Sequence, residues 1–149
     1  MLSRKKFIIL VFSLIVVLFS GCMPEAKPYK PSKIDPNKAL IYVYRVESFL
    51  QRGVGWTIKV NGEVKRKYFI NNSYVPIYVQ PGDITVEITQ YTYPYSTYDK
   101  VVLHDVKAGN IYYVKAIPGV FAANTLKVVD ANTAEKEIPQ TSFYEDVKD

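Results

Sequence analysis

The sequence predicts an all-β fold, a single antiparallel β-sandwich of about seven or eight strands with a short C-terminal helix. Three observations carry this expectation. Short runs of β-branched and aromatic residues alternate between apolar and polar positions. Turn-forming groups such as Asn61-Gly62, Pro81-Gly82 and Ala108-Gly109-Asn110 separate those runs at short, even spacing. No long segment of the folded part repeats its apolar residues with a helical period.

The chain opens with Ser3-Arg4-Lys5-Lys6 and continues into the apolar run Phe7–Phe19, 13 residues long. A spanning helix needs roughly 20 apolar residues. The charged start and short apolar run match a secretory signal peptide over residues 1–21. Ser20 and Gly21 supply the small side chains its peptidase tolerates. Leu18-Phe19-Ser20-Gly21-Cys22 resembles the lipobox of bacterial lipoproteins: Ser20, Gly21 and Cys22 match it, while Phe19 replaces the usual leucine. The resemblance implies that Leu18, Phe19, Ser20 and Gly21 form the signal-peptidase recognition segment. It also implies that the Cys22 thiol takes lipid and that the new amino terminus is acylated with a chain such as palmitate. At about 0.8 kcal/mol per buried methylene one chain holds marginally, and several make a lasting anchor. The implied location is the cell envelope, facing the periplasm. Met23 stands where aspartate would retain such a protein in the inner membrane, which points to the outer one.

Residues 22–38 read as a tether. Pro24, Pro28, Pro31 and Pro36 lie among Lys27, Lys30, Lys33 and Lys38 without apolar periodicity, so this stretch is expected to be extended, solvated and mobile, reaching roughly 50–55 Å. The net charge of +5 falls to +2 once Arg4, Lys5 and Lys6 leave, which argues against nucleic acid as a partner. Cys22 is the single cysteine, so no disulfide is available and packing must hold the domain.

The domain is expected over residues 39–143, with a tail at 144–149. Residues 39–46 form the first strand, with Ile41 and Val43 on one face and Tyr42 and Tyr44 on the other. Residues 47–54 read as a loop. Trp56–Val60 and Val64–Ile70 make a hairpin. A two-residue Asn61-Gly62 turn would set Val60 against Glu63 and Ile58 against Lys65. A three-residue loop that includes Glu63 pairs Val60 with Val64, and it is the expectation here. Arg66 then opposes Ile58 and is expected near an edge or bent outward. Tyr74–Val79 is a strand with Pro76 at an edge or bulge. Gln80-Pro81-Gly82-Asp83 turns it into a hairpin with a strand whose Ile84, Val86 and Ile88 face inward. Strands follow at 100–106, 111–117 and 126–129. Asp130 caps a helix over 131–137, closed by Pro139. The sandwich so built is of the Ig-like or PEGA-like kind.

Ala39-Leu40-Ile41-Tyr42-Val43-Tyr44-Arg45, then Val60-Asn61-Gly62, then Tyr74 with Pro81-Gly82, then Lys107-Ala108-Gly109 with Tyr112-Tyr113-Val114 resemble, in order and spacing, the bacterial lipoprotein family known as domain of unknown function 2846. The resemblance covers about residues 38–143. Family members often carry glycine where this chain has Arg66. It implies a small, lipid-anchored β-sandwich with no assigned activity and no catalytic residue.

Chemistry-bearing patterns are sparse. His104 is the sole histidine, on an apolar strand, and its neighbour Asp105 points to the opposite face. A triad needs a nucleophile, histidine and carboxylate brought together, and a zinc site needs several His or Cys ligands. Asp83, Glu87 and Asp99 show no spacing that singles out a carboxylate pair. The reading is a non-enzyme without metal or cofactor. The strongest surface candidate is tyrosine: Tyr91, Tyr93, Tyr95 and Tyr98 around Pro94 suit a protein or glycan partner, with Tyr42, Tyr44, Tyr74 and Tyr78 as a solvent-side stripe beside them. The expected function is a lipid-anchored, non-catalytic interaction or structural module holding a protein or cell-wall partner. The alternative is a carrier of a small apolar ligand in a cavity between the sheets.

Overall fold

The computed structural model describes residues 25–91, 97–120 and 123–145. It is built mostly from strands: β1 (Ala26–Pro28), β2 (Ala39–Arg45), β3 (Trp56–Val60), β4 (Glu63–Phe69), β5 (Ser73–Val79), β6 (Gly82–Gln90), β7 (Thr97–Val106), β8 (Ile111–Ile117), β9 (Thr125–Val129) and β10 (Ser142–Tyr144). One helix, α1 (Ala131–Glu137), and a 3-10 turn (Ile138–Gln140) separate the last two. The strands form two sheets, one in the order β1-β10-β5-β2-β8-β9 and one in the order β4-β3-β6-β7. Between them lies the main core. Ile41, Val43, Ile77 and Val114 come from the larger sheet, and Trp56, Ile58, Phe69, Val86 and Ile88 from the smaller.

The expectation of a purely antiparallel sheet fails at two pairs: β2 runs parallel to β8, and β10 parallel to β5. The cause lies in the connections. Every tight turn reverses the chain, so β2, β4, β6 and β8 all run one way. The chain also changes sheets between β2 and β3, β4 and β5, β5 and β6, and β7 and β8. Strands of the same direction therefore meet as neighbours.

The proposed β5–β6 hairpin is also corrected. Gly82 has the positive φ of 130° that glycine permits, and Ile84, Val86 and Ile88 are buried as expected. However, β5 pairs with β2 in one sheet, and β6 pairs with β3 and β7 in the other. The turn is a crossing between sheets. Pro76 lies opposite Tyr42, and β10 touches β5 at Ser73, so the missing amide of Pro76 falls on an open edge.

In the β3–β4 hairpin the two-residue turn wins over the three-residue loop. Asn61 (φ 49°) and Gly62 (φ 81°) take left-handed conformations, and Val60 pairs with Glu63. The register conflict is resolved by irregularities further along, which bring Ile58 opposite Arg66 and Trp56 opposite Phe69. Arg66 does not bend outward. It is buried, its Nη1 donates to the Tyr144 carbonyl at 2.6 Å, and its guanidinium lies 5.2 Å from the Phe143 ring centre.

The tether departs most from expectation. From Glu25 onward it is held against the domain rather than free of it, although most of its side chains stay exposed to solvent as expected. Ala26–Pro28 pairs with β10, so both the proposed domain start at residue 39 and the tail from residue 144 are displaced. Tyr29 stacks edge-on against Tyr74 at 5.2 Å and lies 6.2 Å from Tyr42. The Lys30 amide donates to the Tyr74 hydroxyl and the Ser32 amide to that of Tyr42. The proposed solvent-side stripe is accordingly a second core: Tyr42, Tyr44 and Tyr74 are buried with Leu40, Ala134 and Ile138, and only Tyr78 remains exposed. All seven residues of β2 are buried, because the tether and α1 cover its outer face. Asp130 caps α1 as expected, accepting from the Thr133 amide at 2.8 Å. Burial and the neighbouring Glu137 push the Tyr44 hydroxyl well above the ordinary tyrosine range, and it donates to Glu137 Oε2 at 2.6 Å.

Candidate interaction surface

The loop 46–55 begins where β2 delivers Arg45 into the interior. Its Nη1 donates to Val54 O at 2.9 Å and its Nη2 to Gln51 O at 2.6 Å, while the guanidinium lies 4.1 Å from the Trp56 ring centre. Arg45 is wholly buried, and burial lowers its pKa to about 10, which leaves it charged at neutral pH. Carbonyl dipoles and the indole face serve in place of a carboxylate, so desolvation is tolerated only while the loop keeps its shape.

A second fastening runs through Gln51, in a left-handed conformation at φ 53°. Its Nε2 donates to Gly119 O at 2.8 Å and to Asn124 Oδ1 at 2.7 Å, joining this loop to the one after β8. The Gly119 amide donates to the same Asn124 oxygen. With the polar groups turned inward to these bonds, the bulky apolar side chains face out. Phe49 is 91% exposed and Val120 58%, with Leu50 and Val54 also exposed. Glu47 and Arg52 form an ion pair beside them. Tyr68 and Tyr91 flank the same end of the sandwich as an edge-to-face pair 4.9 Å apart. Gly55 permits their position, since a Cβ there would fall 2.1 Å from the Tyr68 ring.

Of the tyrosines expected to form a partner surface, Tyr91 is exposed here. Tyr98 turns to the core, 5.9 Å from Trp56 in an edge-on contact. Tyr93 and Tyr95 lie outside the described residues, as do Leu18, Phe19, Ser20, Gly21 and Cys22. Sequence reasoning passed over Phe49 and Leu50. The available signal was two adjacent bulky apolar residues in a loop, where no strand periodicity calls for them.

At the opposite end a depression of about 390 Å³ opens between the sheets, lined by Val60, Val79 and Ile84 together with Lys38, Glu63, Lys65 and Asp83. Nearby, His104 Nδ1 lies 3.3 Å from Asp83 Oδ2, both side chains open to water. The Asp105 amide, followed by His104, holds the Asp83 carboxyl below its ordinary value. Glu87 instead accepts from Thr97, and Asp99 from the Leu126 amide. These carboxylates serve separate structural bonds.

No family model matches this chain, and no curated protein or solved structure matches it either. The family resemblance therefore rests on the motifs quoted from the sequence.

Proposed function

We propose that this chain is a lipid-anchored protein of the cell envelope, a non-catalytic module on an Ig-like or PEGA-like sandwich scaffold. In this reading it belongs with the lipoproteins whose motif order it resembles. It holds a protein or cell-wall partner near the periplasmic side of the outer membrane. The observation that carries the reading is Leu18-Phe19-Ser20-Gly21-Cys22 behind a charged start and a short apolar run. Metabolic labelling with a palmitate analogue tests the anchor. The wild-type chain is expected to take the label, and Cys22→Ser to lose it and leave the membrane fraction. An unlabelled wild type, or a Cys22→Ser protein that still sediments with membranes, refutes the reading. Crosslinking in intact cells then identifies the partner.

The depression between the sheets favours a second reading, carriage of a small ligand with an apolar body and a polar head. Its 390 Å³ falls in the range of ligand pockets, and Val60, Val79 and Ile84 line it beside Lys38, Glu63, Lys65 and Asp83. Displacement of an apolar dye by envelope lipid extract would support carriage, and a chain that binds no dye would exclude it.

A further inference from the structure

We propose that the outer face of the larger sheet, where the tether lies, is a receptor for extended proline-rich peptides. The tether is its occupant within the chain, and the matching segment of a partner protein displaces it. The inference names a partner for the interaction module proposed above and rests on that part of the reading.

The tether itself shows what the face takes. Lys27-Pro28-Tyr29-Lys30-Pro31-Ser32 spaces its prolines by three, the repeat of a polyproline II helix. The floor beneath it is aromatic. Tyr42 stacks on Tyr113 at 5.9 Å, Tyr74 lies 5.9 Å from Phe143, and the Tyr29 ring sits against both Tyr42 and Tyr74. Proline-rich ligands dock on aromatic-lined surfaces of this kind, because proline fixes φ and leaves little backbone entropy to lose.

The polar contacts complete the fit. Three tyrosine hydroxyls hold the tether backbone in succession. That of Tyr74 accepts from the Lys30 amide at 3.2 Å, that of Tyr42 accepts from the Ser32 amide at 2.7 Å, and that of Tyr78 donates to the Lys33 carbonyl. These bonds read the main chain, so they suit any segment whose prolines leave the same two amides free. Lys27 pairs with Glu145, which adds a basic residue before the first proline. The ligand class is therefore a basic residue, proline, an aromatic residue, any residue and proline.

The attachment allows exchange. All three side chains of β1 are exposed, and β1 pairs with β10, which joins β5 at Ser142–Ser73. The main core between the sheets takes no residue from 25–38, so the tether leaves without opening it. What holds the face closed is a tethered ligand at an effective concentration of roughly millimolar, which a partner segment of higher affinity overcomes.

The probe is a fluorescein-labelled peptide of residues Glu25–Ser32, whose Lys-Pro bonds resist trypsin. The acylated full chain is held in detergent micelles, and polarisation reads binding. The peptide is expected to bind Tyr29→Ala, whose own tether has lost its ring contact, about tenfold more tightly than it binds the wild type. A peptide that itself carries Tyr29→Ala has the same charge and should lose that binding. In the wild type, excess peptide should speed tryptic cutting after Lys33 several-fold, since it frees the carbonyl of that bond from Tyr78. This second readout holds even where Tyr29→Ala does not fold. Equal binding of the two peptides, or cutting after Lys33 that excess peptide does not accelerate, overturns the proposal. A wild type that sediments as a dimer, with its tether docked on a second copy, overturns it too. If crosslinking in cells recovers a partner and the peptide fails to bind, this inference falls while the module reading stands. Crosslinking that recovers no partner removes the module reading, and this inference with it.

Discussion

Replacing Tyr29 with alanine separates a folded tether from a free one. The ring is half-buried, 5.2 Å from Tyr74 and 6.2 Å from Tyr42. Removing a fully buried aromatic ring costs about 3–5 kcal/mol, and half-burial scales that to about 2 kcal/mol, including the two ring contacts. Without the ring, the bonds from the Lys30 and Ser32 amides lose the contact that places them. At about 3 °C per kcal/mol for a domain of this length, the melting point is expected to fall by about 6 °C. Thermal unfolding followed by circular dichroism measures the fall, and brief trypsin digestion reads the undocking. Cleavage after Lys33, which Ile34 follows, should be slow in the wild type and fast in Tyr29→Ala. Equal melting points together with rapid cutting after Lys33 in the wild type would show that the tether is a free linker, and the reasoning from the second core would fail.

Arg45→Met is expected to cost about 3 kcal/mol, because the carbonyls of Leu50, Gln51 and Val54 lose a charged donor. The emission of Trp56, the only tryptophan, should shift in the same variant, and chemical denaturation with fluorescence reads both. Gly62→Ala meets no atoms within 4 Å, so its loss of about 1 kcal/mol comes from the positive φ alone. A larger loss would point to a contact at that turn. The pH response follows from carboxylates held low. The Thr133 amide, then its hydroxyl, lower the Asp130 carboxyl; burial works to raise that of Glu137, but hydrogen bonds from Lys115 and Tyr44 outweigh it. Folded values below the unfolded ones give stability that is present above about pH 4.5 and lost as pH falls through the folded values. The urea midpoint should be flat from neutral pH down to about 5 and decline below that, less steeply in Asp130→Asn. A midpoint that rises on acidification would contradict this.

Much of the fold was legible in local patterns. Ile84, Val86 and Ile88 faced inward as their alternation required, and Asp130 capped its helix because a short carboxylate before a helix start meets free amides. The continuous apolar run of β2 carried a signal of burial on both faces, yet its tyrosines read as a solvent stripe because their hydroxyls allow either place. The proline-rich tether read as mobile for a similar reason. Proline fixes the backbone without saying what lies beneath it, and here Tyr42 and Tyr74 lie beneath Tyr29. For the candidate surface, Tyr91 was found and Phe49 missed, since local sequence does not show that a buried arginine at the end of β2 will turn a loop's apolar residues outward.

Sequence by itself determined what depends on neighbours along the chain: strand class, the inward face of β6 and the helix cap. Only the tertiary structure decided which edges met, that β2 and β8 run parallel, and that the tether completes the larger sheet. Alternation states which side of a strand avoids water, whereas pairing is a competition among all edges of the chain, settled by the combined burial on both sheets.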